Sequence, residues 1–124
     1  MDAVTAADCA ADAVPTVSLR PRRGPVGTRI RIRGRCFDPR HDYDSAYGIL
    51  LIRQFNSPRD CELITGGRQR FDVNDNGTAR GYLTVPRRGH CFQRRYGRNV
   101  TRGRYGLAIG CHACYVGSFQ VTRR

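Results

Sequence analysis

Thr28–Arg35 (TRIRIRGR) alternates without a break. Ile30 and Ile32 fall on one side of an extended chain, and Arg29, Arg31, Arg33 and Arg35 fall on the other. A helix would spread these residues around its axis, whereas a strand sends successive side chains to opposite faces. The stretch therefore reads as a half-buried β-strand, apolar inside and cationic outside. The sequence around it has the same character: short apolar runs divided by Gly, Pro, Asn and Asp. Val14–Leu19 reads as a strand, and Pro21–Pro25 as a turn. Tyr47–Gln54 (YGILLIRQ) is a continuous apolar run, as expected of a strand covered on both faces. Arg68–Val73 is a strand ending in the turn Asn74-Asp75-Asn76-Gly77, and Thr78–Val85 follows and stops at Pro86. Residues 87–103 read as a long Arg-rich loop. Arg104–Gly110 and Tyr115–Thr122 form a closing hairpin around Cys111-His112-Ala113-Cys114.

These are seven short strands with turn signals between them, and no amphipathic helix of useful length. The expected fold is all-β, a seven-stranded immunoglobulin-like β-sandwich with disulfides. Residues 1–13 read as a short acidic N-terminal leader and residues 14–124 as the domain. One core is what 124 residues can bury. No apolar run reaches the ~18–20 residues of a membrane helix.

The chain carries 22 basic and 10 acidic side chains, a formal charge of +12, and every basic residue is arginine. The charge is uneven: residues 76–124 hold ten arginines and no acid. Such a field favours polyanions. A solvated surface or a GC-rich coding bias would give the same composition without a role for it. Two segments carry the cationic reading. One is the stripe Arg29, Arg31, Arg33 and Arg35. The other is the loop with Arg87, Arg88, Arg94, Arg95, Arg98 and Arg102, where Phe92 and Tyr96 are placed to stack on bases or sugars. Guanidinium groups bind phosphate or sulfate bidentately and stay charged.

In the apolar run, if Ile49 and Leu51 face the core, Leu50 and Ile52 face the other way. They then line a cleft or an assembly interface, or the 87–103 loop covers them.

Six cysteines, Cys9, Cys36, Cys61, Cys91, Cys111 and Cys114, favour a disulfide framework and an oxidising compartment. Position along the chain suggests Cys36–Cys61 and Cys111–Cys114, with Cys9–Cys91 left by elimination, although the arithmetic alone allows 15 connectivities. Zinc is the rival use of His90, Cys91 and Cys111-His112-Ala113-Cys114, but a lone Cys-x-x-Cys is only half a site. His41, His90 and His112 have no accompanying nucleophile motif, and neither G-x-S-x-G nor a phosphate loop occurs. The expectation is therefore no enzyme, no catalytic residue, no metal and no cofactor. Asn76-Gly77-Thr78 and Asn99-Val100-Thr101 match the glycosylation sequon, a pattern frequent by chance. The N-terminus has no signal-peptide pattern, so a removed signal and an extracellular or cell-envelope location are expected.

Three segments in order resemble bacterial exported Ig-like domains: Pro15–Pro21 with Gly24–Thr28, Phe71–Val85 (FDVNDNGTARGYLTV) and Tyr105–Gly117 (YGLAIGCHACYVG). Together they look most like the neocarzinostatin family of enediyne apoproteins. The IPT/TIG type shares the first motifs. The resemblance implies a seven-stranded sandwich with a hydrophobic cleft and two local disulfides. Cys111 and Cys114 sit near the second of these, and Cys61 matches one half of the first, with Phe55 near its partner's place. That family is acidic, unlike this chain, and the C-terminal wall of its cleft would be short here. The fold thus carries over better than the ligand. The reading from sequence is a secreted module that docks through its Arg-rich face and apolar strand to a protein assembly or an anionic surface. Its alternatives are a carrier of a small apolar, enediyne-like ligand, and a nucleic-acid or other polyanion-binding protein. Oligomerisation stays open.

Overall fold

The computed structural model describes residues 9, 14–41, 43, 48–53, 63–66, 68–91, 97–111 and 114–123. Among them the chain is all-β, with eleven strands and no helix. In chain order these are β1 (Thr16–Arg20), β2 (Arg23–Gly24), β3 (Arg29–Arg35), β4 (Ile49–Arg53), β5 (Leu63–Thr65), β6 (Gln69–Val73), β7 (Ala79–Thr84), β8 (Arg88–Cys91), β9 (Gly97–Asn99), β10 (Gly103–Ile109) and β11 (Tyr115–Val121). They form two sheets, one of four strands ordered β1-β3-β7-β6 and one of seven ordered β2-β11-β10-β4-β5-β8-β9. All the pairings are antiparallel except β2 with β11. Each of the seven segments read as strands overlaps one, and four short strands are added, of which β2 falls within the expected turn Pro21–Pro25. The reading of residues 87–103 as a loop is corrected: β8 and β9 lie within it and pair with each other, and β8 joins the larger sheet through β5.

The alternation in β3 does what the sequence pattern requires. Ile30 and Ile32 are 0% and 1% exposed, and the four arginines between and beside them are exposed. The inner faces of both sheets contribute to one core. Leu19, Ile30, Ile32, Phe71 and Leu83 come from the smaller sheet; Ile49, Leu51, Tyr105, Leu107, Phe119 and Val121 come from the larger. β4 is buried on both faces, because Leu50 and Ile52 join Ile64 and Ala108 in a second cluster while Ile49 and Leu51 belong to the first.

Two side chains tie the architecture together. Gln69, at the start of β6, uses both halves of its carboxamide on Ile49 of the other sheet: Oε1 accepts from the Ile49 N–H, and Nε2 donates to the Ile49 carbonyl at 3.0 Å. Gly48 is at φ +63° and lies so close to that carboxamide that a Cβ would collide with it. Tyr105 is fully buried, yet its hydroxyl donates to the Thr101 carbonyl at 2.8 Å and accepts from the Thr101 N–H at 3.1 Å. Phe37, Tyr43 and Phe71 pack edge to face, with His41 against Tyr43. Burial holds the Tyr43 hydroxyl above its ordinary pKa.

The disulfides correct the pairing expected from position. Cys9 is bonded to Cys36, with Cα atoms 5.6 Å apart, so neither Cys36–Cys61 nor Cys9–Cys91 forms. Following the chain order misled because Cys36 turns away at the end of β3 with φ 65° and meets the N-terminal segment. Cys111–Cys114 forms as expected. Cys91 is buried and also disulfide-bonded. Cys61 lies outside the described residues.

Candidate anion-binding face

Residues directly opposite each other in an antiparallel pair point to the same face. The register of the four-stranded sheet therefore defines rows across its outer surface. Arg20, Arg31, Tyr82 and Arg70 make one row. Ser18, Arg33, Arg80 and Asp72 make the next. Thr16 and Arg35 begin a third, and Arg29 stands opposite Thr84 at the other end. Arg68, one residue before β6, accepts the Thr84 N–H on its carbonyl and continues the parity of Arg70. Arg20, Arg29, Arg31, Arg33, Arg35, Arg68, Arg70 and Arg80 are all exposed. Asp38, Asp72 and Asp75 are the acids among the described residues, and of these only Asp72 stands in the rows.

Two of these arginines have a local partner. Arg70 Nε lies 2.9 Å from Asp72 Oδ2, an exposed pair of small energetic weight. The Arg29 guanidinium carbon sits 3.9 Å above the centre of the Tyr82 ring. The pairs Arg20/Arg31 and Arg33/Arg80 have the opposite character. Each sets two guanidinium-bearing side chains directly across from one another, an arrangement that costs stability in a sheet.

Two shallow depressions lie on this face. One, of about 750 Å³, is lined by Arg29, Arg31, Arg33, Arg70, Arg80 and Tyr82 among others. The second, of about 710 Å³, is lined by Thr16, Ser18, Arg33, Arg35, Asn74 and Arg80 among others. Arg33 and Arg80 border both. The face thus offers a strongly positive surface with donors in fixed rows and a short hydroxyl-bearing margin along β1.

The residues expected to form the site are divided by the fold. Arg29, Arg31, Arg33 and Arg35 stand together as anticipated. Sequence reading missed Arg20, Arg68, Arg70 and Arg80, whose neighbours Gln69 and Gly81 break the apolar alternation that marks the stripe. Only the register reveals that they continue it. Arg88 and Arg98 are exposed on the β8–β9 hairpin of the other sheet. Arg87 and Arg102 are exposed and line a separate hollow of about 430 Å³ with Val26, Asn99, Val100 and Arg123 among others. Arg94, Arg95, Phe92 and Tyr96 lie outside the described residues. Leu50 and Ile52 are 9% and 1% exposed and pack with Ile64 and Ala108.

No cluster of three or more potential metal-binding side chains occurs among the described residues. Comparison with family models, with curated proteins and with solved structures finds no match for this chain.

Proposed function

We propose that this chain is a secreted Ig-like binding module that docks on an anionic polymer or surface through the outer face of its four-stranded sheet. The observation that carries this reading is the gathering of eight arginines and one acid on one sheet face, with two arginine pairs directly opposed. A field of that density draws anionic partners and repels basic ones. The disulfides support an oxidising compartment. The Ig-like sandwich is supported by two mainly antiparallel sheets around one core and by the Tyr105 hydroxyl bonded to the backbone four residues upstream, a feature of that architecture. The fold half of the neocarzinostatin resemblance is retained. The carrier alternative has no observation to favour it, since Leu50 and Ile52 are buried.

Retention on a heparin or DNA matrix across a salt gradient tests the proposal. Elution should track ionic strength, and Arg31→Ala/Arg33→Ala/Arg80→Ala should elute much earlier while keeping its thermal unfolding transition. Binding indifferent to salt, or a folded triple variant that elutes with the native protein, would refute it, because releasing counterions requires a salt slope.

A further inference from the structure

We infer that the occupant of this face is a sulfated polysaccharide, an inference that rests on reading the face as an anion-binding surface. Three observations on the face separate this class from other polyanions.

The first is the arrangement of charge. Arg20/Arg31 and Arg33/Arg80 are successive opposed pairs on either side of β3, one row apart. Each pair is a two-guanidinium clamp for one tetrahedral oxyanion. With strands ~4.8 Å apart and rows two residues apart, the two clamps are centred about 8 Å from each other. That is a disaccharide span, suited to anionic groups carried on alternate sugars.

The second is the lining of the neighbouring depression. Thr16, Ser18 and Asn74 stand beside Arg33, Arg35 and Arg80 there. Thr16 and Ser18 are exposed, and their hydroxyls donate and accept. A polymer with hydroxyls between its charges both donates to and accepts from such groups, whereas a phosphate chain without hydroxyls only accepts from them.

The third is the lack of a stacking platform. Tyr82 is the one aromatic side chain in the rows among the described residues, and the Arg29 guanidinium lies over its ring. Single-stranded nucleic acids draw much of their affinity from bases stacked on open aromatic faces. The oxidising compartment implied by the disulfides agrees with a glycan partner.

The test is titration of the full chain at two salt concentrations with three probes of matched charge, a heparin octasaccharide, polyphosphate and oligo(dT), and with the octasaccharide stripped of sulfate at equal mass. The sulfated octasaccharide should bind tightest and the desulfated one should lose binding. Arg33→Ala/Arg80→Ala should weaken octasaccharide binding about tenfold and lower its salt slope by about 2. Thr16→Val/Ser18→Val should weaken the octasaccharide more than polyphosphate, which loses only the donor half of each hydroxyl contact. Arg104→Ala, exposed on β10 of the other sheet, should change nothing. Polyphosphate or oligo(dT) binding as tightly as the octasaccharide through the same arginines would overturn the glycan assignment and leave the anion-binding face standing. Octasaccharide binding that survives both desulfation and a folded Arg33/Arg80 variant would overturn both. Should the alanine pair fail to fold, Arg33→Gln/Arg80→Gln serves the same comparison.

Discussion

Arg33 on β3 stands directly opposite Arg80 on β7, so two like charges share one cross-strand position at the centre of the four-stranded sheet. The strands tolerate the pair because Ile30, Ile32 and Leu83 bury the reverse face of the same two strands. Apolar burial of that extent outweighs a surface repulsion of a few tenths of a kcal/mol. Replacing one member with a neutral strand former should relieve the repulsion. Arg33→Thr, which leaves Arg80 opposite Asp72, is expected to stabilise the free protein by about 0.2–1 kcal/mol in low salt, and the gain should shrink at high salt. Thermal unfolding at two ionic strengths measures it, and a loss of stability at low salt would contradict the account.

Anion binding should show the converse. A ligand that binds only the folded state stabilises it by mass action, by about 2.7 kcal/mol at a hundred times its dissociation constant. Saturating heparin should therefore raise the melting temperature of the native protein. The rise should be smaller for Arg33→Ala/Arg80→Ala, and equal shifts in the two proteins would count against a role for the pair.

The Tyr105 hydroxyl holds both the N–H and the carbonyl of Thr101. Tyr105→Phe keeps the buried ring and removes both bonds. The expected loss is about 1–2 kcal/mol in urea unfolding, with an unchanged denaturant slope. An unperturbed midpoint would mean that water replaces the hydroxyl at no cost.

A side chain at Gly81 would strike the Arg70 carbonyl of the neighbouring strand, and that atom is backbone and cannot swing aside. Gly81→Ala should cost about 1–3 kcal/mol and loosen the β6–β7 pairing that positions Arg70 and Arg80. Hydrogen exchange should show faster exchange along β6. Protection equal to that of the native protein would show that the two strands can part without cost.

The two described disulfides close loops of very different size, with sequence separations of 27 and 3. On the chain-entropy model they contribute about 3.5 and 2 kcal/mol. Cys9→Ala/Cys36→Ala should therefore lower stability more than Cys111→Ala/Cys114→Ala. The reverse order in urea unfolding would exclude chain entropy as the dominant source.

Burial raises the Tyr43 pKa above 10, and the Asp38 carboxylate nearby adds to the rise. Its hydroxyl oxygen accepts the Asp38 N–H at 3.0 Å, which partly offsets the rise. A raised folded-state pKa means that the folded chain holds the proton more tightly than the unfolded one. The resulting stability is complete below pH 10 and disappears as the pH climbs through the raised value. Ultraviolet titration of the tyrosinate band should show one late-ionising residue in the native protein that is missing from Tyr43→Phe; identical late portions of the two curves would contradict it.

The parts legible in the sequence were those governed by local period. Alternation along Thr28–Arg35 placed Ile30 and Ile32 inside and the arginines outside. The apolar run at 49–52 divided by parity between two clusters. The β8–β9 hairpin was not legible, because Arg88-Gly89-His90-Cys91 and Gly97-Arg98-Asn99 carry no apolar alternation and owe their extension to neighbours. The arginine rows were half legible: the members on β3 follow from one strand, but Arg80 and Arg20 join them only through register. Cys9–Cys36 depends on the path of the N-terminal segment in space, which spacing does not encode.

Gln69 gives the arginine-bearing face a mechanical property. Among the described residues β6 is an edge strand held to its own sheet by β7 alone; it carries Arg70, and Arg68 immediately precedes it. A polymer tugging on those arginines would load that edge first and tend to peel it. The Gln69 carboxamide fastens the head of β6 to Ile49, a strand buried on both sides within the opposite sheet. Tension applied at the surface is thereby passed into the interior of the molecule, and the outermost strand is anchored at two points instead of one.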